Sequence, residues 1–295
     1  MTTFHRHLLL GLMILVVVAA VVASATLGNP LGRAIGKESF PQRAESGTAV
    51  VESPTLDKRM APIADFSAKW QLALVGVLNL PSRPVTIRLF NTRDDYVAGC
   101  TGTVGGFVPA MDWCYDPSAR VIYGWWTADQ ADVERHLRHE LFHHAVSHLR
   151  DLPPWLEEGT AELLEQAELD AKGTLVVGSV QRDRLMFAAR RMSGNFTLER
   201  LLLTDGAAFR GRDRDTWYSL GYSLTTWLLS TEQLPQALAD GAMQASAGRL
   251  ADPTQRDDAH GFARSPDRWR AAIGHALRPQ IPSGNAAAVG VVLTP

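Results

Sequence analysis

"RHLRHELFHHAVSHL", residues 135–149, puts five histidines into fifteen positions. On an α-helix, residues four apart stand one above the other with Cβ atoms about 5–6 Å apart. Two imidazoles so placed can converge on one ion at about 2.0–2.1 Å per Zn–N bond. Two pairs have the spacing, His139/His143 and His144/His148. Only the first has a glutamate directly after its leading histidine, giving His139-Glu140-Leu141-Phe142-His143. This is the H-E-x-x-H pattern, in which the histidines take zinc and the glutamate acts as base. The spacing predicts a helix here: Thr127 and Gln130 stand at capping-box separation, and Val133, Leu137, Leu141 and Phe142 form an apolar stripe. Pro153 and Pro154 then force a stop. The plainer alternative is a histidine-rich solvated helix.

A catalytic zinc takes three protein ligands and keeps one position for water. The next stretch, "LPPWLEEGTAELLEQAE" (152–168), opens on a proline pair that suits a first helical turn, followed by good helix formers. Two helices joined by a short loop are antiparallel neighbours. Glu158, Glu162 and Glu165 lie at i, i+4 and i+7 on one face of the second helix. A carboxylate stripe facing a histidine pair is what a two-histidine, one-glutamate zinc site requires. An ordinary exposed acidic face is the competing explanation.

"HELFHH" followed closely by "LPPWLEEGTAELLE" resembles the gluzincin side of the peptidase MA superfamily. It is most similar to bacterial peptidase-MA-like proteins with H-E-x-x-H and then W-L-x-E-G-x-A-E, here Trp155 to Glu162. The likeness is strong over about 30 residues and rests on two motifs in the right order. It implies His139 and His143 as zinc ligands, Glu140 as general base and Glu158 as third ligand. It also implies Glu162 as the carboxylate that fixes the ring of His139, since metal-bound imidazoles usually give their second N–H to such a partner. Glu157 points about 100° away from Glu158 on the helix and is not expected to be a ligand. His144 and His148 project to the other side of their helix, and His136 lies at the rim.

The reaction implied is peptide-bond hydrolysis by a metal-activated water, one Zn2+ per chain, with a peptide or protein as substrate. The alternative is a non-catalytic zinc-binding or scaffolding protein of the cell envelope. "ARVIYGWWT" reads as a strand over Val121–Trp126, and the resemblance implies that an edge strand beside the zinc pairs with substrate. Trp125 and Trp126 fit either that role or the core. In "DTWYSLGYSLTTWLL", Tyr218 and Tyr222 stand one helical turn apart. Packing accounts for both, although one phenol at the site would make an oxyanion donor.

The chain opens "MTTFHRHLLLGLMILVVVAAVVASATLG". Arg6 precedes an uncharged apolar run from Leu8 to Val22, followed by the small-x-small triplet Ala23-Ser24-Ala25. A secretory signal peptide and a membrane anchor through residues 8–23 are both consistent with this, and either puts the body outside the cytoplasm. In such a compartment the two cysteines, Cys100 and Cys114, are expected to form a disulfide, with a pair of buried thiols as the alternative. Residues 26–60 read as a flexible linker, 61–276 as one domain, and 277–295 as a loose tail. The expected class is α+β: a small mixed α/β part carrying an edge strand, the H-E-x-x-H helix, then mostly helices. A net charge of −2 without long runs of one sign argues against a nucleic-acid surface. Oligomeric state is not legible in the sequence.

Overall fold

Alternating apolar residues decide the main sheet. In Val85–Phe90 (β3), Val85, Ile87 and Leu89 face one side, and Phe90 turns to the other. The structure, a computed structural model, describes residues 39–101, 113–147, 149, 152–178, 180–192, 196–231, 233, 234, 237, 238 and 291–293. The expected signal or anchor, most of the loop between the cysteines, and His148 lie outside the described residues. Among the described residues no helix is long and apolar enough to cross a membrane.

Five strands form the main sheet: β1 (Gln42–Ser46), β2 (Ala49–Ser53), β3, β4 (Cys114–Asp116) and β5 (Val121–Trp125), in the order β1-β2-β3-β5-β4. β2, β3 and β5 run parallel, while β1 and β4 pair antiparallel at the two edges. Two expectations are corrected here. Residues 42–53 are not linker: they form a hairpin turning at Gly47, whose φ of 51° suits glycine. The predicted edge strand β5 is interior, hydrogen-bonded on both sides, and the edge belongs to the three-residue β4.

Parallel strands need a crossover, and α1 (Met60–Leu78) supplies the one from β2 to β3. Its buried Ile63, Trp70 and Leu74 join Val51, Ile87 and Leu89 in the main core. On the opposite face α2 (Arg93–Thr101) sets Tyr96 and Cys100 against Phe90, Val121 and Tyr123. Cys114 shares that cluster, and the two buried cysteines lie side by side. The expected bridge would join two residues of this one buried cluster. Gly124 in β5 has a clear steric purpose, because the Trp113 ring lies where its Cβ would be.

β5 feeds α3 (Gln130–Val146), whose cap is Asp129, accepting from the Ala131 N–H at 3.0 Å, rather than the Thr127/Gln130 box. α4 (Pro154–Leu164) follows with Pro154 in its first turn. The small sheet β6 (Ala167–Leu169), β7 (Leu175–Val177) and β8 (Val291–Leu293) is antiparallel, so part of the expected loose tail is paired strand. Helices α5 (Arg182–Met192), α6 (Leu198–Leu203), α7 (Gly206–Phe209) and α8 (Arg214–Ser230) complete a mixed α and β architecture. α8 crosses α4 where glycine meets glycine: a Cβ on Gly159 would sit 2.5 Å from the Gly221 carbonyl group. The Thr225 hydroxyl donates to the Gly159 carbonyl at 2.9 Å across the same crossing. α4 is consequently buried nearly all round, Glu158 and Glu162 included, and Glu165 just beyond it is buried too. That disposes of the exposed acidic face.

Candidate metal centre

His139 and His143 stand one turn apart on α3 with ring centroids 4.9 Å apart, and α4 brings Glu158 beneath both. Glu158 Oε2 lies 3.5 Å from His139 Nε2 and 3.4 Å from His143 Nε2. Those separations are long for hydrogen bonds, and this buried oxygen makes none. They match a shared ion instead: two atoms each about 2.1 Å from a tetrahedral zinc are about 3.4 Å apart. The three donor atoms thus form a group able to hold a metal.

The outward nitrogens of both rings are held. His139 Nδ1 is 3.0 Å from Glu165 Oε1, and His143 Nδ1 is 2.9 Å from Glu157 Oε1. Each imidazole therefore presents Nε2 to the common centre and gives its other N–H to a carboxylate, the arrangement that fixes a ligating ring. Here the sequence expectation needs correcting: Glu165, not Glu162, orients His139. Glu162 is taken by Arg184 from α5. Glu165 is further anchored by Arg135 at 3.3 Å, while its carbonyl accepts from Arg138 at 3.0 Å. Glu157 stands outside the three-donor group and holds His143 from behind, a positioning role that the sequence reading did not foresee.

Charge follows from this crowding. Burial opposes a proton on His139, but the Glu158 and Glu165 carboxylates outweigh it and lift the imidazole well above its ordinary range. His143 is buried likewise, and Glu158 and Glu157 push it up to about 10. Burial would raise Glu158, yet His143 and His139 hold it well below the usual carboxylate range. Glu140 is raised by burial, with the two histidines pulling the other way. Burial and the neighbouring Glu165 push Glu162 up to about 7, against the pull of Arg184. In the metal-free chain, protons on the two imidazoles thus supply the positive charge that these carboxylates demand.

A cavity of about 590 Å3 opens onto this centre, and Glu140, His136, Trp113, Tyr115 and Tyr218 are among its walls. Glu140 sits on the helix beside its ligand neighbour, as H-E-x-x-H requires. His136 stacks on Trp113 at 5.5 Å and 15°, consistent with the rim position expected of it. His144 is buried away from the centre, between the Tyr115 hydroxyl at 3.1 Å and the Arg83 carbonyl at 3.3 Å. The contact with Tyr115, whose hydroxyl also donates to Ser147 Oγ at 3.3 Å, ties edge strand β4 to α3. The two tyrosines of α8 divide the roles left open for them. Tyr222 is core, its hydroxyl accepting from the Gln181 N–H at 2.7 Å. Tyr218 faces Glu158, and burial together with that carboxylate holds its phenol well above the ordinary value.

The sequence reading missed Glu165, Glu157 and Trp113. Glu165 was visible as the i+7 member of the acidic stripe. Trp113 carried no spacing signal, because its place depends on the missing Cβ of Gly124. Compared with known proteins, the chain matches no protein-family model and no curated protein.

Proposed function

We propose that the protein is a zinc-dependent, gluzincin-like peptidase acting outside the cytoplasm on peptides or proteins. The observation that carries this reading is Glu158 Oε2, buried and unbonded at 3.5 and 3.4 Å from two imidazole nitrogens whose rings are locked from behind. His139, His143 and Glu158 would hold the ion. When bound, zinc supplies Lewis acidity and lowers the pKa of its water toward about 7.

The rest is done by side chains. Glu140, buried and with a raised pKa, takes the proton of the attacking water and passes it to the leaving nitrogen. Glu165 and Glu157 keep both rings aimed at the centre. Tyr218 holds a phenol against Glu158 on the cavity side, where it can donate to the carbonyl oxygen as negative charge develops. β4, an edge strand among the described residues, contributes Tyr115 to the same cavity and offers its backbone for strand addition by an extended peptide. The location outside the cytoplasm rests on the apolar run Leu8–Val22 and its flanks.

The test is Glu140→Gln. Zinc content should be unchanged, while cleavage of casein or a peptide library falls by about 10²- to 10⁴-fold, the usual worth of a general base. A wild-type chain that retains zinc yet cleaves nothing across broad substrates would instead be the scaffolding protein of the alternative reading.

A further inference from the structure

Four arginines line the cavity: Arg135, Arg184, Arg210 and Arg214. Their surroundings differ. Arg135 is balanced by Glu165 and Arg184 by Glu162, both buried carboxylates of the wall. Arg214 has Asp215 3.7 Å from its Nε, but that carboxylate is 86% exposed, so water screens the pair. Arg210 is exposed and makes no ion pair among the described residues.

Arg210 is nevertheless held in place. The residue before it, Phe209, is fully buried, its ring 5.4 Å from Tyr218 and 6.4 Å from Trp217. Tyr218 in turn faces the metal-group residue Glu158. Arg214 lies over the Tyr218 ring, 5.9 Å from its centroid. Arg210 itself folds back across Gly206, where an added Cβ would stand 3.1 Å from Nη2. Aromatic packing that reaches Glu158 thus carries the Arg214 guanidinium, and Arg210 follows directly on the buried Phe209 with its own guanidinium against Gly206.

We propose that Arg210, with Arg214 as its neighbour, forms a carboxylate-binding subsite that makes this cavity prefer peptides carrying a negative charge. The planar fork of a guanidinium matches a carboxylate in two-point contact. The carboxylate comes from one of two sources, the C-terminus of a peptide or an Asp or Glu side chain. The choice of a peptide as ligand rests on the peptidase reading above.

The test uses zinc-loaded Glu140→Gln protein, so that peptide is bound and not consumed. Three fluorescently labelled pentapeptides are titrated by anisotropy: an alanine peptide with a free C-terminus, its C-terminal amide, and the amide with a central glutamate. One or both charged peptides should bind about tenfold tighter than the neutral amide, as one charge-assisted contact warrants. Whichever charged peptide wins identifies the source. Adding Arg210→Ala should bring that peptide down to the level of the neutral one, and Arg210→Lys should keep part of the preference. Thermal melts check that the variants are folded.

Equal binding of all three peptides, or no binding of any, overturns the proposal. So does a preference that survives Arg210→Ala, because the carboxylate would then be sitting on the metal or the histidines. Zinc content measured on the same samples keeps the two readings apart. A chain without zinc defeats the metallopeptidase reading, while the same titrations on metal-free protein still decide the Arg210 subsite.

Discussion

Replacing Glu165 by glutamine separates the observed geometry from the arrangement the sequence suggests. Glu165 is 7% exposed and accepts from His139 Nδ1 at 3.0 Å, with Arg135 3.3 Å from its other oxygen. A carboxylate that orients a ligating imidazole is worth about 10- to 100-fold in metal affinity, or about 1.4–2.7 kcal/mol. Glutamine keeps the size and one acceptor oxygen, so Glu165→Gln belongs at the low end, about tenfold weaker for zinc. Glu165→Ala leaves a buried N–H without a partner and belongs at the high end, about a hundredfold. Glu162→Gln behaves differently. Glu162 is paired with Arg184 and pushed up to about 7, so its neutral form is already well populated near neutrality. Its amide therefore mimics an existing state and should weaken zinc by less than about threefold. Competition against a coloured chelator at pH 7.5 gives the three affinities, with thermal melts as a control. If Glu162→Gln weakened zinc more than Glu165→Gln did, the assignment of His139's partner would be refuted.

Because His139 and His143 are held protonated in the metal-free chain, loading zinc at pH 7 should release a proton from each. Affinity should then rise with pH until His143 loses its proton near 10; calorimetry in two buffers of different ionisation enthalpy reads the release, and none at all would contradict the charge assignment. Gly159→Ala drives a Cβ to 2.5 Å from the Gly221 backbone, an overpacking expected to cost about 1–3 kcal/mol in urea unfolding. Stability unchanged in that variant would mean the α4–α8 crossing is looser than described. Tyr222→Phe strands the Gln181 N–H and should cost about 1–3 kcal/mol. Tyr218→Phe should leave zinc content intact while lowering turnover by about 10²-fold, and a reversed pattern between the two tyrosines would undo their assignment to site and core.

Spacing along single helices made much of the centre legible in advance. Four residues on an α-helix bring His139 over His143 whatever the rest of the chain does, and Glu140 follows from its place between them. The i, i+4, i+7 stripe announced that Glu158, Glu162 and Glu165 share a face. It could not say which of the two beyond Glu158 reaches His139, since both lie within about 40° of it around the axis. That choice depends on how α4 is set against its neighbours, and on Arg184 from α5 drawing Glu162 away.

The sheet divides in the same manner. Alternating Val85, Ile87 and Leu89 mark β3 along the chain itself, and "ARVIYGWWT" marks β5. β1 and β2 were hidden because "QRAESGTAVVES" is largely polar, and β1 buries none of its side chains fully. Whether a strand lies inside a sheet or at its edge is a matter of pairing between distant segments, so β4 rather than β5 emerged as the edge only in three dimensions. The sequence by itself determined what one helix or one strand can hold along its own axis: the histidine pair, the base, the acidic stripe. Only tertiary contact decided which carboxylate backs which imidazole, which tyrosine meets the site, and that Arg210 stands on its wall, because those outcomes depend on distances between elements that no local period encodes.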